Sequence, residues 1–147
     1  MLTARFPARY DHLRAISAFV MDAIKDIPFD SRQRYAIDLA VDEACSNVID
    51  HAYAGDDQGE IRIILDFLEI GLKITIQDDG APFDPDCVVE PDLTSPLETR
   101  CERGLGVYLI HEVMDEASWD FSTPGVNQLT LLKYFTPSQK TEKNVRP

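Results

Sequence analysis

The chain has 147 residues, a length that one hydrophobic core can hold together, so two independent domains are not expected. Hydrophobic residues make up 44% and aromatic residues 9%, enough core-forming side chains to exclude a disordered chain. Against 14 Lys and Arg stand 26 Asp and Glu, a net charge of −12, and no basic stripe is present, which argues against direct binding to nucleic acid and requires any anionic ligand to be held by local donors.

In chain order, Leu2 to Phe6 alternates loosely and predicts an edge strand before Pro7. From Arg9 to Ile27, the residues Leu13, Ile16, Phe19, Val20 and Ile24 recur at three- and four-residue steps, so they share one stripe of a helix that Pro28 closes. Asp30 and Ser31 supply an N-cap for a second helix, which reaches about Tyr53 with Ala36, Leu39, Ala40, Ala44, Val48 and Ala52 at helical spacing. The glycine- and aspartate-rich run from Gly55 to Gly59 ends it.

Two alternating runs follow, Ile61, Ile63, Leu65 and Phe67, then Leu72, Ile74 and Ile76; with a turn between Glu69 and Gly71 they predict an antiparallel hairpin. Residues 79–103 are rich in Pro, Asp and Glu and show no period; loops of such length in compact domains are functional or mobile, and this one is expected to be a lid. Leu105, Leu109, Ile110, Val113 and Met114 restore helical spacing. Trp119 and Phe121, then Leu129, Leu131 and Tyr134, predict two closing strands around a Pro124-Gly125 turn. Residues 136–147 are polar or proline and are expected to form a flexible tail, leaving 1–135 as the folded domain.

Cys45, Cys87 and Cys101 are widely spaced and form no C-x-x-C pair, which argues against a disulfide framework or a zinc site. Without a basic-then-apolar start or an apolar run of about 18 residues, neither secretion nor a membrane span is expected, and the chain reads as cytoplasmic.

Three short stretches carry chemistry. Glu43 and Asn47 stand four apart on the second helix, so their side chains leave one face a turn apart and can meet one ligand, although any polar helix face offers such a pair. Asp78 ends a strand in phase with Leu72, Ile74 and Ile76; an inward carboxylate needs a donor, such as the amino group of adenine, while Gly80 without a Cβ permits close approach of a ligand ring or of backbone. Taken alone, Asp-Gly is also an ordinary strand-ending turn. Gly104-Leu105-Gly106 leads into a helix, whose unpaired N–H groups and dipole form a phosphate site that needs no basic surface; Arg100 or Arg103 could add positive charge locally.

In order, "AVDEACSNVIDHAY", "DDGAPFDP" and "RGLGVYLI" resemble the N, G1 and G2 boxes of the GHKL ATPases, and among them the branch of anti-sigma factor serine/threonine kinases. The resemblance covers about residues 5 to 135. It implies the Bergerat fold, an α/β (α+β) two-layer sandwich with helices on one face of a mixed, mostly antiparallel sheet, binding ATP and Mg²⁺. Pro82 stands where many GHKL proteins have a second glycine, and Val107 replaces the usual leucine after Gly106.

Carried over by this resemblance, Asn47 is the Mg²⁺ ligand, Glu43 the general base, and Asp78 the selector of adenine. Gly80 lets the base sit close, Gly104, Leu105 and Gly106 form the phosphate loop, Arg103 neutralises charge as the lid closes, and Asn127 is a further polar position in the final box. The implied function is a regulatory kinase that binds a sigma factor and phosphorylates a serine or threonine of an anti-sigma factor antagonist protein; dimerisation is usual among the kinases it resembles. Two other readings remain open at this level: a nucleotide- or partner-binding module without phosphotransfer, and the catalytic domain of a sensor histidine kinase. The latter needs a phosphorylatable histidine on an upstream helical hairpin, and only His12 precedes Glu43.

Overall fold

The computed structural model describes residues 1–53, 58–82 and 104–136. Strand β1 (Leu2–Pro7) leads through a 3₁₀ turn (Tyr10–His12) into α1 (Leu13–Ala23). Helix α2 (Ser31–Asn47) continues as a π-helical turn (Val48–Ala52), and the hairpin β2 (Glu60–Phe67) and β3 (Gly71–Asp78) follows. Helix α3 (Gly104–Val113), β4 (Glu116–Asp120) and β5 (Asn127–Tyr134) complete the described elements. Most of the expected lid, including Cys87, Cys101 and Arg103, and all but the first residue of the expected tail lie outside the described residues. Among the described residues no helix is long and apolar enough to cross a membrane.

The sheet order is β1-β2-β3-β5-β4, and each of these pairings is antiparallel. The mixed sheet implied by the resemblance is thus antiparallel throughout the described pairs. The reason is topological: β3 and β4 run the same way, but β5 inserts between them and pairs with both, so the crossover through α3 creates no parallel neighbours.

All three helices cover one face. Ile61, Ile63 and Leu65 of β2, Leu72, Ile74 and Ile76 of β3, and Leu129 and Leu131 of β5 are buried there, as strand alternation requires. Against them pack Ile16 and Val20 of α1, Ile37, Ala40, Val41, Ala44 and Cys45 of α2, and Ile110 of α3 with the adjoining Met114, forming one core. Phe67, in phase with the inward residues, is 38% exposed because it lies at the end of β2.

Two devices fix α2 over the sheet. Asp30 caps its first turn, accepting from the Gln33 N–H at 2.8 Å, while Gln33 Oε1 accepts from the Asp30 N–H at 2.9 Å, a reciprocal capping box. The same Gln33 amide donates to the carbonyls of Tyr134 and Phe135, both at 3.0 Å, and ties the start of α2 to the end of β5. Arg34, one residue on, donates to the carbonyls of Ile24 (2.8 Å), Ile27 (2.6 Å) and Phe29 (3.1 Å), gathering the chain that leaves α1.

The far end of α2 departs from the sequence expectation. A regular helix was expected to about Tyr53, whereas the α-helix ends at Asn47 and the chain widens into a π turn closed by the Tyr53 N–H to Val48 carbonyl bond at 3.2 Å. The wider turn leaves the Ala52 carbonyl to accept from the Ala81 N–H at 2.7 Å, and lays the Tyr53 ring over Gly59. These are contacts between distant segments, which helical periodicity does not encode.

Candidate nucleotide site

Glu43 and Asn47 lie on the last turn and a half of α2, on the side that faces the start of α3. A Cβ built on Gly106 would lie 2.9 Å from Glu43 Oε2, 3.5 Å from Asn47 Oδ1 and 3.6 Å from Asn47 Nδ2. The helix pair carrying acid and amide and the glycine loop therefore meet, although Gly106 lies 59 positions after Asn47 in sequence. Gly104, Leu105 and Gly106 form the first turn of α3 itself, where N–H groups have no partner one turn back and the dipole is positive.

Burial raises the Glu43 carboxyl above its ordinary value, and the neighbouring Asp42 charge adds to the effect. A carboxylate with a raised pKa is a stronger base as long as it remains ionised. Asp42 is raised as well, by burial first and then by Asp38. Cys45, between Glu43 and Asn47, points into the core; burial first, then Asp42 and Asp78, push its thiol to about 12, so it is an inert packing residue.

At the other side of the cleft, Asp78 is half-buried at the end of β3, directly opposite Asn127 in the β3–β5 register. Asp78 Oδ1 accepts from the Gly80 N–H at 3.0 Å and from Asn127 Nδ2 at 2.7 Å; the same amide donates to the Gly80 carbonyl at 2.8 Å. Asn127 thus clasps both ends of the Asp78–Gly80 turn. The close approach at Gly80 is to backbone: a Cβ there would stand 2.3 Å from the Ala52 carbonyl oxygen and 2.6 Å from its carbon. The Tyr53 hydroxyl braces the next residue, accepting from the Asp79 N–H at 3.1 Å and sharing its proton between the Asp79 carboxylate and the Glu60 carbonyl (2.9 Å). Burial first, then the Asp79 hydrogen bond, raises the phenol to about 12.

Asn47, Asp78 and Asn127 line one cleft, together with Ala44, Val48, Ile76, Val107, Ile110 and Leu129. Apolar walls with a few convergent polar groups suit a planar heterocycle with a polar edge. Of the sequence-predicted residues, the structure brings together Glu43, Asn47 and Gly106 in one contact group and Asp78, Gly80 and Asn127 in another. Asn47 joins Asp78 and Asn127 in the cleft; Gly104 and Leu105 open α3, and Arg103 lies outside the described residues. Sequence reasoning missed Ala52, Tyr53, Trp119 and Phe121. Only the last two carried a usable signal, since they fall on the inward phase of a predicted strand.

The family profile described as histidine kinase-like ATPase domain matches residues 6–133. The Serine-protein kinase RsbW of Bacillus thuringiensis (strain Al Hakam) is 33% identical over 116 residues, covering 76% of this chain and 72% of that protein. The protein of the same name from Bacillus anthracis (strain A0248) matches to the same extent. Among solved structures, the RsbU and RsbW domains of Rv1364c from Mycobacterium tuberculosis superpose with a TM-score of 0.64 at 17% identity, covering 94% of this chain and 34% of that one. The nucleotide-free catalytic domain of the histidine kinase ThkA superposes with a TM-score of 0.55 at 13% identity, covering 94% of this chain and all of that domain. At these identities the structural likenesses establish the fold.

Proposed function

The chain belongs to the histidine kinase-like ATPase domain family, and from that premise we propose that it binds Mg-ATP in the cleft between α2, α3 and the β3–β5 edge and acts as an anti-sigma factor serine/threonine kinase. The observation that carries the reading is the approach of Gly106 to both Glu43 and Asn47, the latter lining the same cleft as Asp78. A Cβ at Gly106 would crowd the Glu43 carboxylate at 2.9 Å, so the glycine lets the start of α3, the proposed seat of a ligand's phosphates, pack beside the two polar side chains. The N–H groups of Gly104, Leu105 and Gly106 bind them there, which reconciles an anionic ligand with a chain of net charge −12.

The donor set fits a hard divalent ion: the Asn47 amide offers a neutral oxygen of the type that accompanies phosphate oxygens and waters around Mg²⁺. Bound Mg-ATP would supply the transferable phosphoryl group and neutralise its charge. Asp78 accepts from the exocyclic amine of the base and Asn127 holds its carboxylate in place, while Glu43 orients an incoming serine or threonine hydroxyl and takes its proton. Arg103, outside the described residues, is proposed to add positive charge beside the phosphates. The partners of this reading are a sigma factor and an antagonist protein that carries the acceptor hydroxyl, with a homodimer as the assembly and the cytoplasm as the compartment.

Calorimetry with ATP, with and without Mg²⁺, on wild type and Asn47→Ala tests the binding half. The variant should lose the Mg²⁺-dependent part of the affinity, and an unchanged Mg²⁺ dependence would refute the metal role. Transfer from labelled ATP to candidate antagonist proteins tests the other half: Glu43→Ala should abolish transfer and keep Mg-ATP affinity. Transfer by the variant would remove the base assignment, while binding without transfer in wild type would leave a nucleotide-binding regulatory module.

A further inference from the structure

The cleft floor extends well beyond Asp78. In the register of the sheet, Ile76 of β3 faces Leu129 of β5, and Leu129 faces Trp119 of β4, so these three side chains form one row on the face that carries the helices. The next row begins with Asp78 and Asn127, and the chain leaving β4 brings Phe121 alongside it; all six side chains line the cleft. With strands about 4.8 Å apart, this floor reaches two strands, or about 10 Å, past the strand that carries Asp78. Trp119 is half-buried, and its ring is held against α3 by His111, with centroids 5.3 Å apart and planes tilted by 55°.

A carboxylate at Asp78 reads an exocyclic amine, and that chemistry alone is ambiguous. Guanine also carries an amine, beside a ring N–H, while adenine and cytosine share an amine beside a ring nitrogen acceptor, so an amine contact at Asp78 does not tell these last two apart. The two differ in ring size. A bicyclic base anchored at Asp78 covers more of an apolar floor than a monocyclic one does, and the far end of this floor is aromatic. Resting on the nucleotide reading above, we propose that Trp119 and Phe121 are the specificity-determining residues that select purine over pyrimidine, a discrimination separate from the amine recognition of Asp78.

Trp119 is the single tryptophan of the chain, which makes its emission a direct reporter of the far end of the floor. ATP and adenosine should both change that emission, whereas inorganic tripolyphosphate should not. By calorimetry, Trp119→Ala and Phe121→Ala should each lower the ratio of ATP to CTP affinity about tenfold, the factor that accompanies loss of one ring face of apolar contact. Trp119→Phe should keep most of the ratio. The preference for ATP over GTP should survive all three variants and fall in Asp78→Asn. ATP binding with silent tryptophan emission and an unchanged ATP to CTP ratio in the alanine variants overturns the inference alone. A wild type that gives no heat with ATP overturns the nucleotide reading, and the inference with it. Should Trp119→Ala fail to fold, the wild-type emission and Phe121→Ala still decide.

Discussion

Replacing Gly80 by alanine separates two reasons for having a glycine there. If the residue serves only to admit a ligand, the variant should bind nucleotide poorly yet unfold like wild type. The structure gives a different expectation, because the added Cβ would stand 2.3, 2.6 and 2.7 Å from the oxygen, carbonyl carbon and Cβ of Ala52. Two of these atoms are backbone of the π turn, so relief requires the turn at 78–81 and the end of α2 to part by about 1 Å. Overpacking of this kind costs about 1–3 kcal/mol, and loss of the Ala81 N–H to Ala52 carbonyl bond, 2.7 Å long, adds about 1 kcal/mol. A loss of about 2–4 kcal/mol in a chain of this length corresponds to a fall in Tm of about 6–12 °C. Thermal unfolding followed by circular dichroism, without nucleotide, measures it. A variant melting within about 2 °C of wild type would refute the argument that backbone approach explains this glycine.

Gly106→Ala should behave oppositely. Its Cβ meets the movable carboxylate of Glu43 and lies at ordinary contact distance from Asn47, and alanine gains up to about 1 kcal/mol of helix propensity, so stability should be little changed while Mg-ATP affinity falls; unaltered affinity by calorimetry would count against a phosphate site there. Glu43→Gln tests the raised carboxyl. A folded pKa above 4.5 means that ionising Glu43 costs stability as pH rises through that window, so the variant should melt above wild type at neutral pH and lose its advantage below pH 4.5. A variant melting no higher at neutral pH, or an advantage independent of pH, would contradict the burial argument. Arg34→Lys retains charge but cannot fork across the carbonyls of Ile24, Ile27 and Phe29, and should cost about 2 kcal/mol in urea unfolding; an unchanged midpoint would show that these bonds contribute nothing net.

The parts of the fold that repeat along the chain were legible in its sequence. The stripe Ile16, Val20 and Ile24 and the alternations Ile61 to Leu65 and Leu72 to Ile76 are buried as their periods require, and the hairpin turn and both closing strands lie where the turn residues placed them. The four-residue step from Glu43 to Asn47 and the strand phase of Asp78 also follow from local geometry, because a helix and a strand each dictate where their side chains point. The end of α2 was not legible. Nothing near Val48 announces a π turn, whose geometry accompanies the bond to Ala81 and the packing of Tyr53 on Gly59.

The same division holds at the site. Which polar side chains and glycines sit on which element could be read along the chain, since that depends on periods of about two and 3.6 residues and on caps a few residues away. It took the folded arrangement to show that Gly106 abuts Glu43 and Asn47, that Asn127 faces Asp78, and that Gly80 yields to the backbone of Ala52. That arrangement also decided that Trp119 and Phe121 share the cleft. Those are relations between segments tens of residues apart, fixed by sheet register and helix packing, and register is a property of paired strands that neither strand carries alone.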